Sequence, residues 1–453
     1  MKRPRVALVI LVAALVAGAA WPFVVAERTN SAVASAEPTP APVNRDYLTR
    51  DAQIAFWEHA AGQHLHGDFL TPRNLAEQYM QRFRERGDIG DVGRALAMAL
   101  QEERVVPHSG LADASMIGPL ITLHRFRQAR ECVRDMGGPA SRSAETLARE
   151  ASLDMELGEY EGVPRLLGLI KPAERSSIIA ETVESRYDEL TGKLNRARYL
   201  LARAMVSYDA HYPEASAQAR AWYHFRAGEL AFAAGQNDEA IADERLAIEM
   251  FPNFNLAYNA LARFELATGH PREALEAATS GANITPLPEV LGYKADAERS
   301  LGMTEASTQT RDLIVAIEQI GNAYHVNDRL IAIYYSEHGI RLDDGLRIAR
   351  REIAVRGDEV YAQDTLAWAA AMDGHWGEAR SAMAKAVRYD TDDPRLQFHA
   401  GMIALHFGDT ADAKLRLSRA LALNPQFHPV YADEARLVLA SLDSRPDSHP
   451  AQP

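Results

Sequence analysis

The chain has 453 residues, 47% apolar and 25% charged, which is the composition of an ordinary folded protein. Its 62 acidic residues outnumber the 49 basic ones, and the formal charge of −13 argues against a nucleic-acid partner, because phosphate backbones repel an acidic surface. The one cysteine, Cys132, excludes an intramolecular disulfide framework and a multi-cysteine metal cluster, and we interpret it as a small apolar residue on a helix.

Residues 1 to 26 are predicted to be a signal peptide or a membrane anchor. Three positive charges precede an uncharged apolar run over residues 6 to 26, long enough at about 1.5 Å per helical residue to cross a bilayer core of about 30 Å. The length of the run favours an uncleaved transmembrane anchor, whereas the small residues at 34 to 36 fit a signal-peptide cleavage site. Both alternatives place the body of the protein on the exported side of the cytoplasmic membrane, either anchored there or periplasmic or secreted.

The two segments that flank the body have compositions typical of disorder. Residues 27 to 45 are rich in Ala, Ser, Thr and Pro and predict an extended, disordered linker. Residues 444 to 453 predict a disordered tail for the same reason. Residues 46 to 443 lack strong strand patterns and predict an all-α body, with cap helices in 46 to 66 and in 428 to 442.

A 34-residue period runs through this body. It separates three pairs of turn glycines: Gly158 and Gly192, Gly235 and Gly269, and Gly374 and Gly408. It also separates three pairs of alanines: Ala95 and Ala129, Ala240 and Ala274, and Ala379 and Ala413. A fixed period of this length indicates stacked helical hairpins, each of which needs a neighbour on either side to bury its apolar face.

One unit, over residues 394 to 425, shows how the period arises. Apolar residues at helical spacing predict a helix over 395 to 407, and Gly408 can adopt the left-handed conformation that ends it. Asp409 favours the start of the second helix by capping it, and Pro425 stops that helix.

This pattern resembles the tetratricopeptide repeat (TPR) family, in which a 34-residue helical hairpin carries Gly or Ala at position 8, Gly near 15, Ala at 20 and 27, and Pro at 32. The unit that begins at 394 matches with Gly401, Gly408, Ala413, Ala420 and Pro425. The clearest repeats span 221–288 and 360–427, and weaker units begin near 76, 110, 144, 178 and 289. The resemblance implies a superhelical solenoid of about ten hairpins between residues 70 and 425.

The sequence carries no motif that indicates catalysis or metal binding. It has no glycine-rich phosphate loop, no His-Glu-x-x-His and no Gly-x-Ser-x-Gly. The densest histidine cluster, His59, His64 and His66 near Asp68, fits one helix face poorly, and we interpret it as solvated residues at a helix end. We therefore predict no metal, no cofactor and no enzymatic activity.

In the TPR family the first helix of each hairpin lines a concave face and binds peptides or partner helices. The family's binding positions imply a surface of aromatic and polar residues in this chain: Trp222, Phe225, Phe232, Asn259, Arg263, Tyr293, Tyr361, Trp368, Phe398, Met402 and His406. The alternative for each aromatic residue is packing between adjacent hairpins, which is the commoner role of a helical aromatic residue. The Lys, Asn and Arg set with which some family members grip a terminal carboxylate is absent.

The function predicted from the sequence is a non-catalytic scaffold, exported or membrane-tethered, that binds a protein or peptide. A second hypothesis is an accessory protein for cell-envelope assembly or secretion, which would act through the same concave face. A third is a metal carrier or enzyme that uses the histidines, and it predicts stoichiometric metal in the purified protein.

Overall fold

The computed structural model of the chain describes residues 44–63, 67–107, 109–136, 143–170, 177–321 and 328–444. The predicted targeting segment, the linker up to residue 43 and the tail from residue 445 lie outside these residues. No helix among the described residues combines the length and the apolar character that crossing a membrane requires.

Over the described residues the structure is all-helical, with 22 α-helices and no β-strand, as the sequence predicts. The helices are α1 (Arg50–Ala61), α2 (Leu70–Arg86), α3 (Ile89–Val105), α4 (Gly110–Thr122), α5 (Phe126–Asp135), α6 (Ala144–Glu156), α7 (Val163–Leu169), α8 (Ile178–Leu190), α9 (Leu194–His211), α10 (Ala217–Ala233), α11 (Asn237–Met250), α12 (Asn255–Ala267), α13 (Pro271–Ile284), α14 (Pro288–Ser300), α15 (Thr304–Gly321), α16 (Asp328–Glu337), α17 (Leu342–Arg356), α18 (Val360–Met372), α19 (Trp376–Ala386), α20 (Pro394–His406), α21 (Thr410–Leu423) and α22 (Tyr431–Asp443).

Successive helices pack in pairs as hairpins, from α2 with α3 to α20 with α21. Helix α1 packs on the first hairpin and α22 on the last, so each covers one end of the array. Within the described residues this makes ten hairpins with a TPR-like arrangement, in which each hairpin buries its apolar face against its neighbours.

The hairpin turns depend on glycines in the left-handed conformation. The six glycines of the 34-residue ladder have φ between 71° and 86°, a region that residues with a Cβ rarely adopt. After one of these turns the Asp409 carboxylate accepts a hydrogen bond from the backbone N–H of Asp412 at 3.0 Å and caps α21. Local signals in the sequence therefore decide where each hairpin bends.

The amino-terminal boundary of the folded part lies at or before Asn44. The carbonyl of Asn44 accepts a hydrogen bond from the backbone N–H of Ala217 at 3.1 Å, and its side-chain amide donates to the carbonyl of Glu214 at 2.9 Å. The disordered linker predicted up to residue 45 thus overlaps the folded part at its last two residues.

The solenoid winds back onto itself, so that residues about 200 positions apart are in contact. The backbone N–H of Val360 donates to the hydroxyl of Tyr160 at 3.1 Å, across 200 positions of the chain. The hydroxyl of Thr391 donates to the carbonyl of Leu190 at 2.7 Å, across 201 positions. A second superhelical turn therefore lies directly against the first.

We call this contact between the two turns the seam. It joins residues 156–161, 190–192 and 232–237 of the first turn to residues 352–360, 388–391 and 423–426 of the second. In the first of these three contact segments Arg356 forms ion pairs with Glu156 of the first turn and with Glu352 of its own helix, and all three side chains are buried. The largest apolar cluster also crosses the seam, since it contains both Tyr160 and Val360.

A central cavity lined by the inner helices

The first helices of the hairpins, from α6 to α20, face one central cavity, and we call them the inner helices. The volume open to the centre of a water-sized sphere is about 210 Å³. The turn that precedes α22 also lines the cavity, through Phe427, His428 and Pro429. Because the seam packs α18 against the α6–α8 region, the concave face of the solenoid becomes the wall of a central cavity that is partly open to solvent.

Seven of the eleven residues predicted as a binding surface line this cavity: Trp222, Phe225, Phe232, Asn259, Arg263, Tyr293 and Tyr361. They come from four inner helices, α10, α12, α14 and α18. The structure therefore brings together side chains from residue 222 to residue 361.

The other four residues of that prediction do not line the cavity. Phe398 has no exposed surface and stacks on Tyr431 of α22 with ring centroids 4.5 Å apart. Trp368 is buried beside the same tyrosine, at 5.8 Å. Met402 is half-buried against the main apolar cluster, and His406 is exposed and stacks on Trp376 at 3.5 Å. The end helix α22 covers these inner-helix positions, so Phe398 and Trp368 pack in the core.

Most charged side chains of the cavity form ion pairs. Glu189 accepts hydrogen bonds from Arg226 at 2.5 Å and forms an ion pair with Arg186 at 2.8 Å. Burial by itself raises the pKa of Glu189, but the two guanidinium groups outweigh it and hold the pKa below its usual value. Arg263 pairs with Glu229 at 2.6 Å.

Two more pairs lie at the carboxyl-terminal side of the cavity. Arg395 and Glu337 are 3.4 Å apart, and His338 and Asp296 are 2.9 Å apart. Burial lowers the pKa of His338, but the hydrogen bond that its ring donates to Asp296 and the negative charges of Asp296 and Glu337 together outweigh burial and raise the pKa above its ordinary value.

Aromatic rings and guanidinium groups alternate along the cavity wall. The guanidinium of Arg263 lies over the rings of Phe232 and Phe264, at 5.4 and 4.9 Å. The ring of Tyr361 has Arg186 at 5.5 Å and Arg329 at 5.9 Å. These cation–π contacts hold long side chains in one orientation before any ligand arrives.

The sequence reasoning missed several charged residues of the cavity. Arg186 and Glu189 occupy positions 9 and 12 of the unit that begins at 178, which are binding positions in the other units, so the same rule applied there finds them. Glu337 and His338 lie in the most degenerate repeat, where no ladder residue sets the register. Only the fold brings that repeat to the cavity.

The described residues contain no group of three or more His, Cys, Asp and Glu side chains placed to hold a metal ion. Of the predicted histidine cluster, His64 and His66 lie outside the described residues. Cys132 is half-buried on α5, and burial raises the pKa of its thiol to about 11, so the thiol is protonated at neutral pH.

No protein-family model and no curated protein matches the chain. Similar solved structures include the Cut9–Hcn1 hetero-tetramer of the APC/C, with 11% identity over 87% of this chain and 97% of that one and a TM-score of 0.33. A tetratricopeptide repeat protein from Parabacteroides merdae has 18% identity over 60% of this chain and 100% of that one, with a TM-score of 0.32. A Rap protein complexed with Competence and Sporulation Factor has 12% identity over 74% of this chain and 99% of that one, with a TM-score of 0.42.

All three TM-scores are below 0.5, so the helical-repeat class of fold is assigned without these likenesses. The assignment of this chain to that class rests on its own 34-residue hairpins and left-handed turn glycines. The chain folds as a TPR-like α-solenoid, closed along a seam, with a polar and aromatic cavity at its centre.

Proposed function

We propose that this protein is a non-catalytic scaffold that binds a protein or peptide segment in its central cavity. The observation that carries the proposal is the convergence of aromatic and arginine side chains from separate inner helices on one central cavity. Aromatic residues and arginines contribute most of the free energy at protein–protein contacts, because they bury large areas and still offer directed polar contacts.

The mechanism we propose is preorganisation. The cavity arginines are held by carboxylates and by aromatic rings, and the wall is built on helices whose positions the hairpins and the seam determine. A ligand that enters such a wall orders few protein side chains, so little conformational entropy is lost on binding.

We propose further that the scaffold acts on the exported side of the cytoplasmic membrane. The support is the apolar segment over residues 6 to 26 behind a basic start. Mass spectrometry of the protein from its native host tests this: a mature chain that starts at Glu37 indicates cleavage, and an intact start at Met1 or Lys2 indicates an anchor. Recovery of the full-length protein in the cytosolic fraction would contradict export.

The binding proposal is tested by cross-linking in the native host, followed by purification of the protein with whatever is attached. The variant is Trp222→Ala combined with Tyr361→Ala, since both side chains line the cavity and both are only half-buried. Tyr199→Ala is the matched control, because Tyr199 is 59% exposed on α9. Circular dichroism checks that each variant keeps its helicity.

We expect one partner to be captured by the wild type and by the Tyr199→Ala control, and to be lost with the folded double variant. Retention of that partner by the double variant would place binding elsewhere on the solenoid and would refute the cavity as the site.

A further inference from the structure

Nearly all the charges that line the central cavity are neutralised by the protein itself, as ion pairs or as the cap of a helix. Two of them are not, within the part of the chain that the structure describes. Glu289 on α14 has no cationic partner within ion-pair distance, and Arg329 on α16 has no carboxylate partner. Two opposite charges therefore remain available to whatever occupies the cavity.

Glu289 accepts one short hydrogen bond, from a neutral amide, and has no charged donor within ion-pair distance among the described residues. The side-chain amide of Asn259 donates to Glu289 at 2.6 Å, while its own carbonyl oxygen is buried and accepts no hydrogen bond. Asn259 is 6% exposed, so this acceptor is removed from bulk water. The hydroxyl of Tyr293 is 3.5 Å from the other oxygen of Glu289, which is too long for a good hydrogen bond. A group with several N–H donors fits this corner of the cavity.

Nearby arginines do not supply those donors. Arg263 is bonded to Glu229 at 2.6 Å and Arg395 is paired with Glu337, so each guanidinium is already engaged. Burial raises the pKa of Glu289, and the more distant attraction of Arg263, Arg329 and Arg395 together with the hydrogen bond from Asn259 does not offset it. An incoming cation would provide the close partner that this carboxylate lacks.

The position of Arg329 does not stabilise its own helix. It lies in the first turn of α16, where the helix dipole disfavours a positive charge. The adjacent Asp328 is bonded to Arg351 at 2.5 and 2.7 Å and is not available to it. The contact of Arg329 with the cavity wall is the ring of Tyr361, which leaves its N–H donors for an anion.

We infer that the cavity recognises a polypeptide segment that presents a basic and an acidic side chain close together. The basic group binds the carboxylate of Glu289 and the free carbonyl oxygen of Asn259, and the acidic group binds Arg329. A segment with charge of one sign would satisfy one corner and leave the other unmatched. This inference rests on the proposed function, and it adds the charge pattern of the ligand.

The test uses the purified full chain in detergent micelles and a displayed library of random short peptides. The chain is used as wild type, as Glu289→Gln, as Arg329→Gln, and as an Arg272→Gln and Glu273→Gln double control. The control residues are exposed on the outer helix α13. Circular dichroism checks the helicity of every form.

The wild type and the control are expected to enrich peptides that contain both a basic and an acidic residue. Glu289→Gln should lose the selection for the basic residue and keep that for the acidic one, and Arg329→Gln should do the reverse. In a selected peptide, exchange of the basic residue for Gln should weaken binding to the wild type about tenfold or more, since a hydrogen bond to a charged group contributes about 1.5–3 kcal/mol. The same exchange should change binding to Glu289→Gln far less.

The outcomes separate the two proposals. The inference would be overturned if the wild type enriched peptides without this charge pattern, or if Glu289→Gln and Arg329→Gln both selected the same pattern as the wild type. In either case the cavity would still be a binding site. If a variant loses its helicity, the exchanges made in the peptide still decide the question on the wild type. Failure of the wild type to enrich any peptide, or equal enrichment by the Trp222→Ala and Tyr361→Ala double variant, would overturn the proposed function and the inference with it.

Discussion

Two groups of turn glycines occupy the same position in the repeat and have nearly the same backbone conformation, yet their surroundings differ. The first group lies in the seam, where a Cβ would come within 2.2 to 2.6 Å of the backbone of the second turn: Gly158, Gly192 and Gly235. The second group has nothing within 4 Å of the same point: Gly269, Gly374 and Gly408. The repeat explains the positive φ of both groups, and the seam alone explains why the first group has no room for a side chain.

The inner helices show the same contrast. Phe225 and Phe398 both occupy position 5 of their units, at 221 and 394. Phe225 lines the central cavity, whereas Phe398 is sealed under Tyr431 of the end helix. The position within a repeat determines which face of the hairpin a side chain occupies. The place of that repeat along the superhelix determines which residues or cavity the side chain contacts.

The largest effect is expected from breaking the buried ion pair of the seam. Arg356→Met removes the partner of Glu156 and Glu352 and leaves two buried carboxylates without a cation. The expected loss in the free energy of unfolding is about 3–5 kcal/mol. Urea denaturation followed by circular dichroism measures it.

Arg350→Met is the matched control on the same helix. Arg350 pairs with Glu378 at 2.6 Å, but both side chains are substantially exposed, so the expected loss is below about 1 kcal/mol. Equal losses in the two variants would mean that the seam does not contribute to stability in solution.

The turn glycines provide the second comparison. Gly192→Ala combines the strain of a left-handed alanine with a Cβ that would lie 2.4 Å from the carbonyl oxygen of Asp390, and we expect it to cost about 2–5 kcal/mol. Gly408→Ala has the strain without the collision and should cost about 1–2 kcal/mol. Thermal and urea unfolding of both variants give the difference in unfolding free energy. If Gly192→Ala lost no more stability than Gly408→Ala, the two superhelical turns would be separated at the seam in solution.

The smallest expected effect concerns a contact within one turn of the superhelix. Against the opposing effect of burial, the hydrogen bond from the His338 ring to Asp296 and the negative charges of Asp296 and Glu337 raise the pKa of His338 above the ordinary value of 6.5. The folded state therefore holds this proton more tightly than the unfolded chain does. Its contribution to stability is therefore complete below pH 6.5 and is lost as the pH rises through the raised pKa.

His338→Gln should flatten that part of the stability profile, measured as the unfolding free energy at a series of pH values from 6 upward. His270→Gln, at an exposed histidine, is the control and should keep the wild-type slope. An unchanged slope in His338→Gln would assign the pH dependence to other groups.

The sequence by itself determined the hairpins of this protein. Glycines with positive φ at 34-residue spacing, small residues between paired helices and capping residues such as Asp409 act within a few residues of one another, so the sequence reveals them directly. The same local order correctly predicted an all-α array of hairpins.

Only the tertiary structure decided the seam, the central cavity and the surroundings of the remaining four positions. Six steps from one hairpin to the next lead from α6 to α18, and the small rotation at each step accumulates until the two superhelical turns are in contact. No single residue determines the total rotation, because each step depends on how two whole hairpins pack. For this reason Gly192 and Gly408 look alike in the sequence, while one is held against a second turn of the chain and the other faces open space.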